Sequence, residues 1–289
     1  MPELPDLLYI KKHLDRTLKG RTIRSVTVKQ PVVLRNTFDR PVEEFLPGSL
    51  VLEIGLRGPF IRCALSGARE IVINLMLAGR LQLQQPGDKA AGYRCMTLSL
   101  DDGASIHVCD EKKMAKVYLV RAGEYAAVPK YAAQGLDILS PAFTIDAFRS
   151  LARAHRRKQV RVFINDQTAL SAIGNAYADE ILFEARIHPK TFVGTLTPER
   201  IERLYKAIHD VMLWGTAEVT KAAEPIHVKV RGHMKVRNRK AEACPRCGTT
   251  IRREGVRGHD VFFCPSYQPA SRSLFIDWDK LTREVATKG

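Results

Sequence analysis

The sequence predicts an α+β multidomain chain: an N-terminal antiparallel β-sandwich with a flanking helix, then a helical domain, then a C-terminal β-hairpin finger. Three observations carry this. The first 130 residues are mainly short β-branched or alternating runs separated by turn signals. After Pro141, apolar residues recur at i, i+3 and i+4. Three of the six cysteines, Cys244, Cys247 and Cys264, cluster near the C-terminus.

Taken in order, residues 3–18 have helical periodicity (Leu7, Leu8, Lys11, Leu14, Leu18) and stop at Gly20. The strands are expected at "TIRSVTV", "LVLEIGL", "FIRCAL", "EIVINL", "RLQLQ", "CMTLSL", "SIHVCD" and "KVYLV", with Asp101-Asp102-Gly103 as a hairpin turn. Helices are expected in "TIDAFRSLARAHRR", "VRVFINDQTALS", "NAYADEILFEARI" and "TPERIERLYKAIHDVMLWG", with Thr144 and Thr197 as N-caps. A basic segment leads into the cysteine cluster. The expected boundaries are 1–135 for the sandwich, 142–222 for the helical domain, 230–268 for the finger and 269–289 for a C-terminal extension.

A length of 289 residues suits about two domains, or one with an appendage, and 45% hydrophobic content is ample for a packed core. No apolar run is long enough to span a membrane, and Lys11 and Lys12 interrupt any signal peptide, so a cytoplasmic, nucleoid-associated location is expected. Cys63, Cys95 and Cys109 lie in strand-like contexts and read as reduced core residues. The 46 Lys+Arg against 31 Asp+Glu give a net charge of +15. The excess is concentrated in "RAHRRKQVR" (153–161) and "HVKVRGHMKVRNRK" (227–240), which favours a phosphate-backbone partner over mere solubility.

Pro2 raises a chemical question. Removal of Met1 leaves a terminal secondary amine, which chemistry can use or ignore. The finger motif is Cys244-Pro-Arg-Cys247-Gly, then Cys264-Pro-Ser-Tyr267-Gln268. A CxxC knuckle points two thiolates at one ion. Tyr267 stands where a fourth cysteine would be, so zinc held by three cysteines competes with a metal-free hairpin packed by Phe262, Phe263 and Tyr267. His259 or water are alternative fourth ligands. Gly174-Asn175 opens a strong helix, whose exposed amides and dipole make a ready phosphate site.

These pieces resemble the formamidopyrimidine-DNA glycosylase / endonuclease VIII family of base-excision repair enzymes. The resemblance rests on "MPELPD" at the start, "NLMLAGRLQL" (74–83), "HVCDEKKMAKVYL" (107–119), "LDILSPAFT" (136–144), "NDQTALSAIGNAYADEILFEARIHP" (165–189) and "CPRCG…FFCPSYQ", in family order. It implies a helix–two-turns–helix element in the helical domain, zinc in the finger, and a monomer acting on damaged duplex DNA. It implies DNA glycosylase activity on oxidised bases with AP lyase activity. Pro2 is then the nucleophile that attacks C1′ and holds the sugar as a Schiff base. Glu3 transfers protons at the sugar ring, a role that competes with a solvated charge at a helix start. A generic α-amino group has a pKa of about 7.7–8.0 against about 10.4 for lysine, which suits a nucleophile at neutral pH.

The resemblance also places DNA contacts. Asn175 matches the family's phosphate-binding asparagine. Leu77 takes the place of a methionine that fills the hole left by the flipped base, and Lys113 and Met114 stand where arginine and phenylalanine flank the opposite base. For Leu77 and Met114 ordinary strand packing is the alternative. Several positions depart from the family. Pro59 replaces a strand lysine that grips phosphate, leaving Arg57 or Arg62 to reach over. Arg161 replaces a second lysine, and His259 replaces the finger arginine. A loop that covers the flipped base in some members is shortened around 215–228. An active glycosylase, a damaged-DNA binding protein with weak or lost excision and a zinc-ribbon module without base chemistry all remain open on this reading.

Overall fold

In the computed structural model, which describes residues 1–89 and 92–270, the chain forms two compact units. The first comprises residues 1–143, 165–177 and 209–233, and the second the remaining described residues. The 269–289 extension lies outside the described residues from position 271 on.

The first unit begins with helix α1 (Leu4–Thr17). Pro5 sits in its first turn, where its missing N–H costs nothing, and Leu7, Ile10 and Leu14 bury one face. Strands β1 (Ile23–Val28), β2 (Leu34–Asn36), β3 (Val51–Arg57), β4 (Phe60–Leu65), β5 (Arg69–Asn74), β6 (Arg80–Gln84), β7 (Arg94–Leu100), β8 (Ser105–Cys109) and β9 (Lys116–Arg121) follow, with a short helix α2 (Val42–Phe45) before β3. They form a four-stranded sheet, β1-β7-β8-β6, and a five-stranded sheet, β2-β9-β5-β4-β3. Ile54, Ile61 and Ile71 from one sheet and Leu81, Met96 and Ile106 from the other line one narrow apolar gap, the sandwich core. All eight expected strands are present. The expected purely antiparallel pattern fails at β2, a three-residue strand that pairs parallel to β9. Asp101–Gly103 makes the β7–β8 hairpin, with Gly103 at φ +86. Cys63 and Cys95 are buried free thiols, and Cys109 is half-buried and free.

The second unit holds α3 (Ile145–Ala154), capped by Thr144 through its hydroxyl to the Ala147 amide, and α4 (Val160–Ile164). Helix α5 (Asn175–Glu184) starts in the first unit and ends in the second, while α6 (Pro198–Ala222) starts in the second and ends in the first. The helix expected over "VRVFINDQTALS" is only α4. Asp166 diverts the rest by accepting from the Thr168 amide and hydroxyl, a local turn that outcompetes the helix. Strands β10 (Arg252–Val256) and β11 (His259–Phe263) form the finger hairpin. Among the described residues, no helix is long and apolar enough to cross a membrane.

Candidate functional site

The start of the chain is built in, not solvated. Pro2 and Glu3 are buried, Glu3 at 7% exposure. The Glu3 backbone N–H donates to Asp6 Oδ2 at 2.9 Å, and the Leu7 N–H to the Glu3 carbonyl at 2.9 Å, which begins α1. The Glu3 side chain points at the N-terminus of α5: the Ala176 and Tyr177 amides donate to Oε1 and Oε2, each at 3.0 Å. The helix end expected to offer these amides to phosphate therefore holds Glu3 instead. Both partners are anions at a positive dipole end, and the one already in the chain is there first.

Gly174 makes this possible. A Cβ there would stand 2.5 Å from Glu3 Cγ and 2.7 Å from Oε1. Burial raises the Glu3 pKa, opposed by the two amides and by Arg231. Arg231 forms a two-pronged pair with Asp6, Nη1–Oδ1 2.8 Å and Nη2–Oδ2 2.6 Å, and lies over the Tyr177 ring. Tyr177 is fully buried and shares a hydrogen bond with His233. Gly215 gives it room, since a Cβ there would stand 2.8 Å from Tyr177 Cζ.

The terminal amine faces charge from several elements. The Met1 nitrogen donates to the Leu77 carbonyl at 3.4 Å, and Lys229 Nζ donates to the same oxygen at 3.3 Å. Burial first, then Lys229, lower the amine pKa to about 6, with Glu3 opposing and Arg231 assisting.

Leu77 is 65% exposed at the tip of the turn after β5, so it projects from the turn and is not a packed strand residue. Asn74 Oδ1 holds the Met76 amide, and Gly79 brings the turn close: a Cβ there would meet Ala115 Cβ at 2.9 Å. Beside it lies the loop carrying exposed Lys113, at φ +54, and half-buried Met114. Buried Asp110 organises that loop by accepting from the amides of Lys112, Met114 and Ala115 at 2.9, 2.8 and 2.7 Å. Asn175 accepts at Oδ1 from Asn165 Nδ2 at 2.6 Å, which fixes how its amide group is turned. Arg57 is exposed and donates to the Gln134 carbonyl at 3.2 Å. Arg62 cannot substitute for the lysine missing at Pro59, because Glu53 and Glu70 hold it at 3.1 Å each.

Arg161 is a correction. It is 3% exposed, and its Nε donates to buried Asp179 at 2.9 Å, so its charge is spent inside the second unit and not on DNA. Arg237 pairs with the same carboxylate at 2.8 Å, and Glu180 accepts from the amides of Lys235, Val236 and Arg237. Asp179 and Glu180 thus anchor the base of the finger, a role that sequence reasoning does not assign.

In the finger, the Sγ atoms of Cys244, Cys247 and Cys264 lie within 4.8 Å of one another. Tetrahedral zinc with bonds of about 2.3 Å sets its sulfurs about 3.8 Å apart. The Arg246 and Tyr267 amides donate to the sulfurs of Cys244 and Cys264 at 3.4 and 3.3 Å. This donor set fits zinc. The Thr249 hydroxyl and amide lower the Cys247 thiol to about 7, while burial pushes Cys264 up to about 11. Neither non-cysteine candidate joins them. Tyr267 accepts from Arg186 Nε at 2.9 Å and packs its ring on Phe183. His259 is exposed at the far end of β11, five residues from Cys264 and about 16 Å along a strand. Cys247→Ser should take zinc from about one per chain to near none in metal analysis, and weaken DNA binding with it.

The formamidopyrimidine-DNA glycosylase N-terminal domain model matches residues 1–117, the formamidopyrimidine-DNA glycosylase H2TH domain model 134–223, and the zinc finger found in FPG and IleRS 241–266. The formamidopyrimidine-DNA glycosylase of Pelotomaculum thermopropionicum is 30% identical over 278 residues, 93% of this chain and 99% of that one. That of Symbiobacterium thermophilum is 31% identical over 280 residues, covering 95% and 91%. Among solved structures, the MutM (Fpg) protein from Thermus thermophilus superposes with a TM-score of 0.80 at 28% identity, covering 93% of this chain and 100% of that one. The Lactococcus lactis Fpg in complex with abasic-site DNA shares the fold with a TM-score of 0.83 at 21% identity, with the same coverage.

Proposed function

The chain belongs to the formamidopyrimidine-DNA glycosylase family, and from that premise we propose that it is a base-excision repair DNA glycosylase with AP lyase activity, acting as a monomer on DNA with oxidised bases. The observation that carries this is the buried start of the chain: Pro2 and Glu3 are both buried, and the Glu3 carboxylate is clamped by two helix amides.

With Met1 removed, the Pro2 nitrogen lone pair forms a bond to C1′ of the damaged nucleotide. The glycosidic bond breaks and its electrons leave with the base. Glu3 supplies and removes protons at the sugar ring, which opens to give the Schiff base. Loss of a C2′ proton then expels the 3′ phosphate and nicks the strand. Burial favours the protonated form of Glu3 and its two amides favour the carboxylate, the balance a group needs to both give and take a proton.

Leu77 fills the space vacated by the flipped nucleotide, with Lys113 and Met114 beside the base left behind. Asn175, Arg57 and His259 contact phosphate, and three-cysteine zinc holds the finger that carries His259. This activity places the chain at the nucleoid.

Duplex DNA with one abasic site, treated with the protein and borohydride, tests the reading: a covalent complex is expected, because only a Schiff base is reduced to a stable bond. Pro59 in place of the strand lysine favours the second reading, a damaged-DNA binder with weak or lost excision, and tight binding with little or no covalent product selects it. Asn175→Ala should weaken binding to damaged and undamaged duplex alike, since a phosphate contact carries no base information. A titration in which only lesion preference changes would contradict that contact.

A further inference from the structure

The segment after α6 reads in sequence as pooled positive charge, yet one of its lysines has a specific address. Lys229 is exposed, and its Nζ meets the Leu77 carbonyl at 3.3 Å, the oxygen that also accepts from the terminal amine at 3.4 Å. Two nitrogens that both prefer to be cations thus share one acceptor. We propose that Lys229 is a positioning residue for the nucleophile: its ammonium, held by the Leu77 carbonyl beside the start of the chain, disfavours a second positive charge on the terminal nitrogen and leaves that amine its lone pair. The proposal rests on the Pro2 reading and extends it.

Three charged groups face the amine: Lys229, Glu3 and Arg231. Glu3 favours the protonated amine, but its carboxylate is engaged by the Ala176 and Tyr177 amides, which draw its charge toward α5. Arg231 is neutralised by the two-pronged pair with Asp6. Lys229 pairs with no carboxylate among the described residues and donates to the shared carbonyl, so its charge acts on the amine most directly. Removal of Met1 moves the terminal nitrogen back by one residue, from Met1 N to Pro2 N, about 3 Å by backbone geometry. The like-charge effect falls as the inverse of distance, so Lys229 still bears on a nitrogen displaced by that much.

The same contact joins two functions. Leu77 is the exposed wedge and its carbonyl is the acceptor for Lys229, so the lysine proposed to act on the nucleophile is held by the same peptide that carries the group entering the duplex.

The experiment is a pH series of single-turnover base removal and borohydride trapping with the full-length, Met1-processed protein, wild type against Lys229→Met and Lys229→Arg. Saturating protein removes any contribution from weaker DNA binding. The acid limb of the wild-type profile reports protonation of the amine. In Lys229→Met it should move up by about one pH unit, with the rate recovering at higher pH. In Lys229→Arg the limb should stay at its wild-type position, because the charge is kept. A Lys229→Met rate reduced by the same factor at every pH, or a limb that does not move, overturns the role of Lys229 while leaving the nucleophile reading intact. Absence of a covalent product from wild type overturns the nucleophile reading itself, and this inference with it.

Discussion

Protein that retains Met1 should show no base removal and no borohydride-trapped complex, and Pro2→Gly should lose about 10³-fold or more in excision rate. With Met1 in place the Pro2 nitrogen is an amide, its lone pair delocalised into the carbonyl, and it cannot attack C1′. Pro2→Gly keeps a terminal amine but exchanges a secondary amine with a ring-fixed geometry for a flexible primary one. It does so at a buried position directly before the first residue held by Asp6. The site also sets the pH range. Burial, then Lys229, lower the amine pKa of a chain that keeps Met1; the Pro2 amine exposed on processing takes its place at the same buried chain start and becomes inert as falling pH protonates it. Mass spectrometry of the amino terminus, paired with trapping on abasic DNA, checks both variants. Full activity in a protein with an uncleaved N-terminal tag would remove Pro2 from the mechanism.

Most of the β-sandwich was legible because its strands carry their own periodicity and turn chemistry: a two-residue pattern bounded by Gly48, Gly67 and Gly103 needs no tertiary information. Strand β2 was not, since three residues paired in parallel leave no pattern to read. The same limit applies to charge. Arg161 and Arg62 look like surface cations in sequence, and only the fold reveals that Asp179, Glu53 and Glu70 consume them. Lys229, Arg231 and His233 do carry a faint signal, the alternation of "KVRGH", which puts three polar side chains on one side of an extended segment. That segment forms no strand among the described residues, so the alternation had no sheet to point to. Gly174-Asn175 was legible as a helix start, but its occupant was not: a carboxylate 171 positions earlier than Gly174 is a matter of topology.

That occupant makes Gly174→Ala the more revealing single-atom test. A Cβ at position 174 would stand 2.5 Å from Glu3 Cγ, with the Glu3 carboxylate on one side and the start of α5 on the other. Neither side yields easily: α5 is buried along much of its length, and Glu3 is fixed through its own backbone by Asp6 and α1. The overpacking should cost about 1–3 kcal/mol of stability, read by thermal or denaturant unfolding. The larger effect is on chemistry. Driving the carboxylate off the Ala176 and Tyr177 amides removes it from the position where it can exchange a proton with the sugar, and proton transfer of this kind contributes about 10²–10⁴-fold. Gly174→Ala should therefore lose at least about 10²-fold in single-turnover base removal under conditions where it remains folded. Glu3→Gln provides the control, since it removes the carboxylate's proton chemistry without adding volume. If Gly174→Ala keeps near-wild-type excision while Glu3→Gln does not, Glu3 works from a different position than the amide clamp. If both keep it, the proton is handled elsewhere and Glu3 serves only to join α1 to α5.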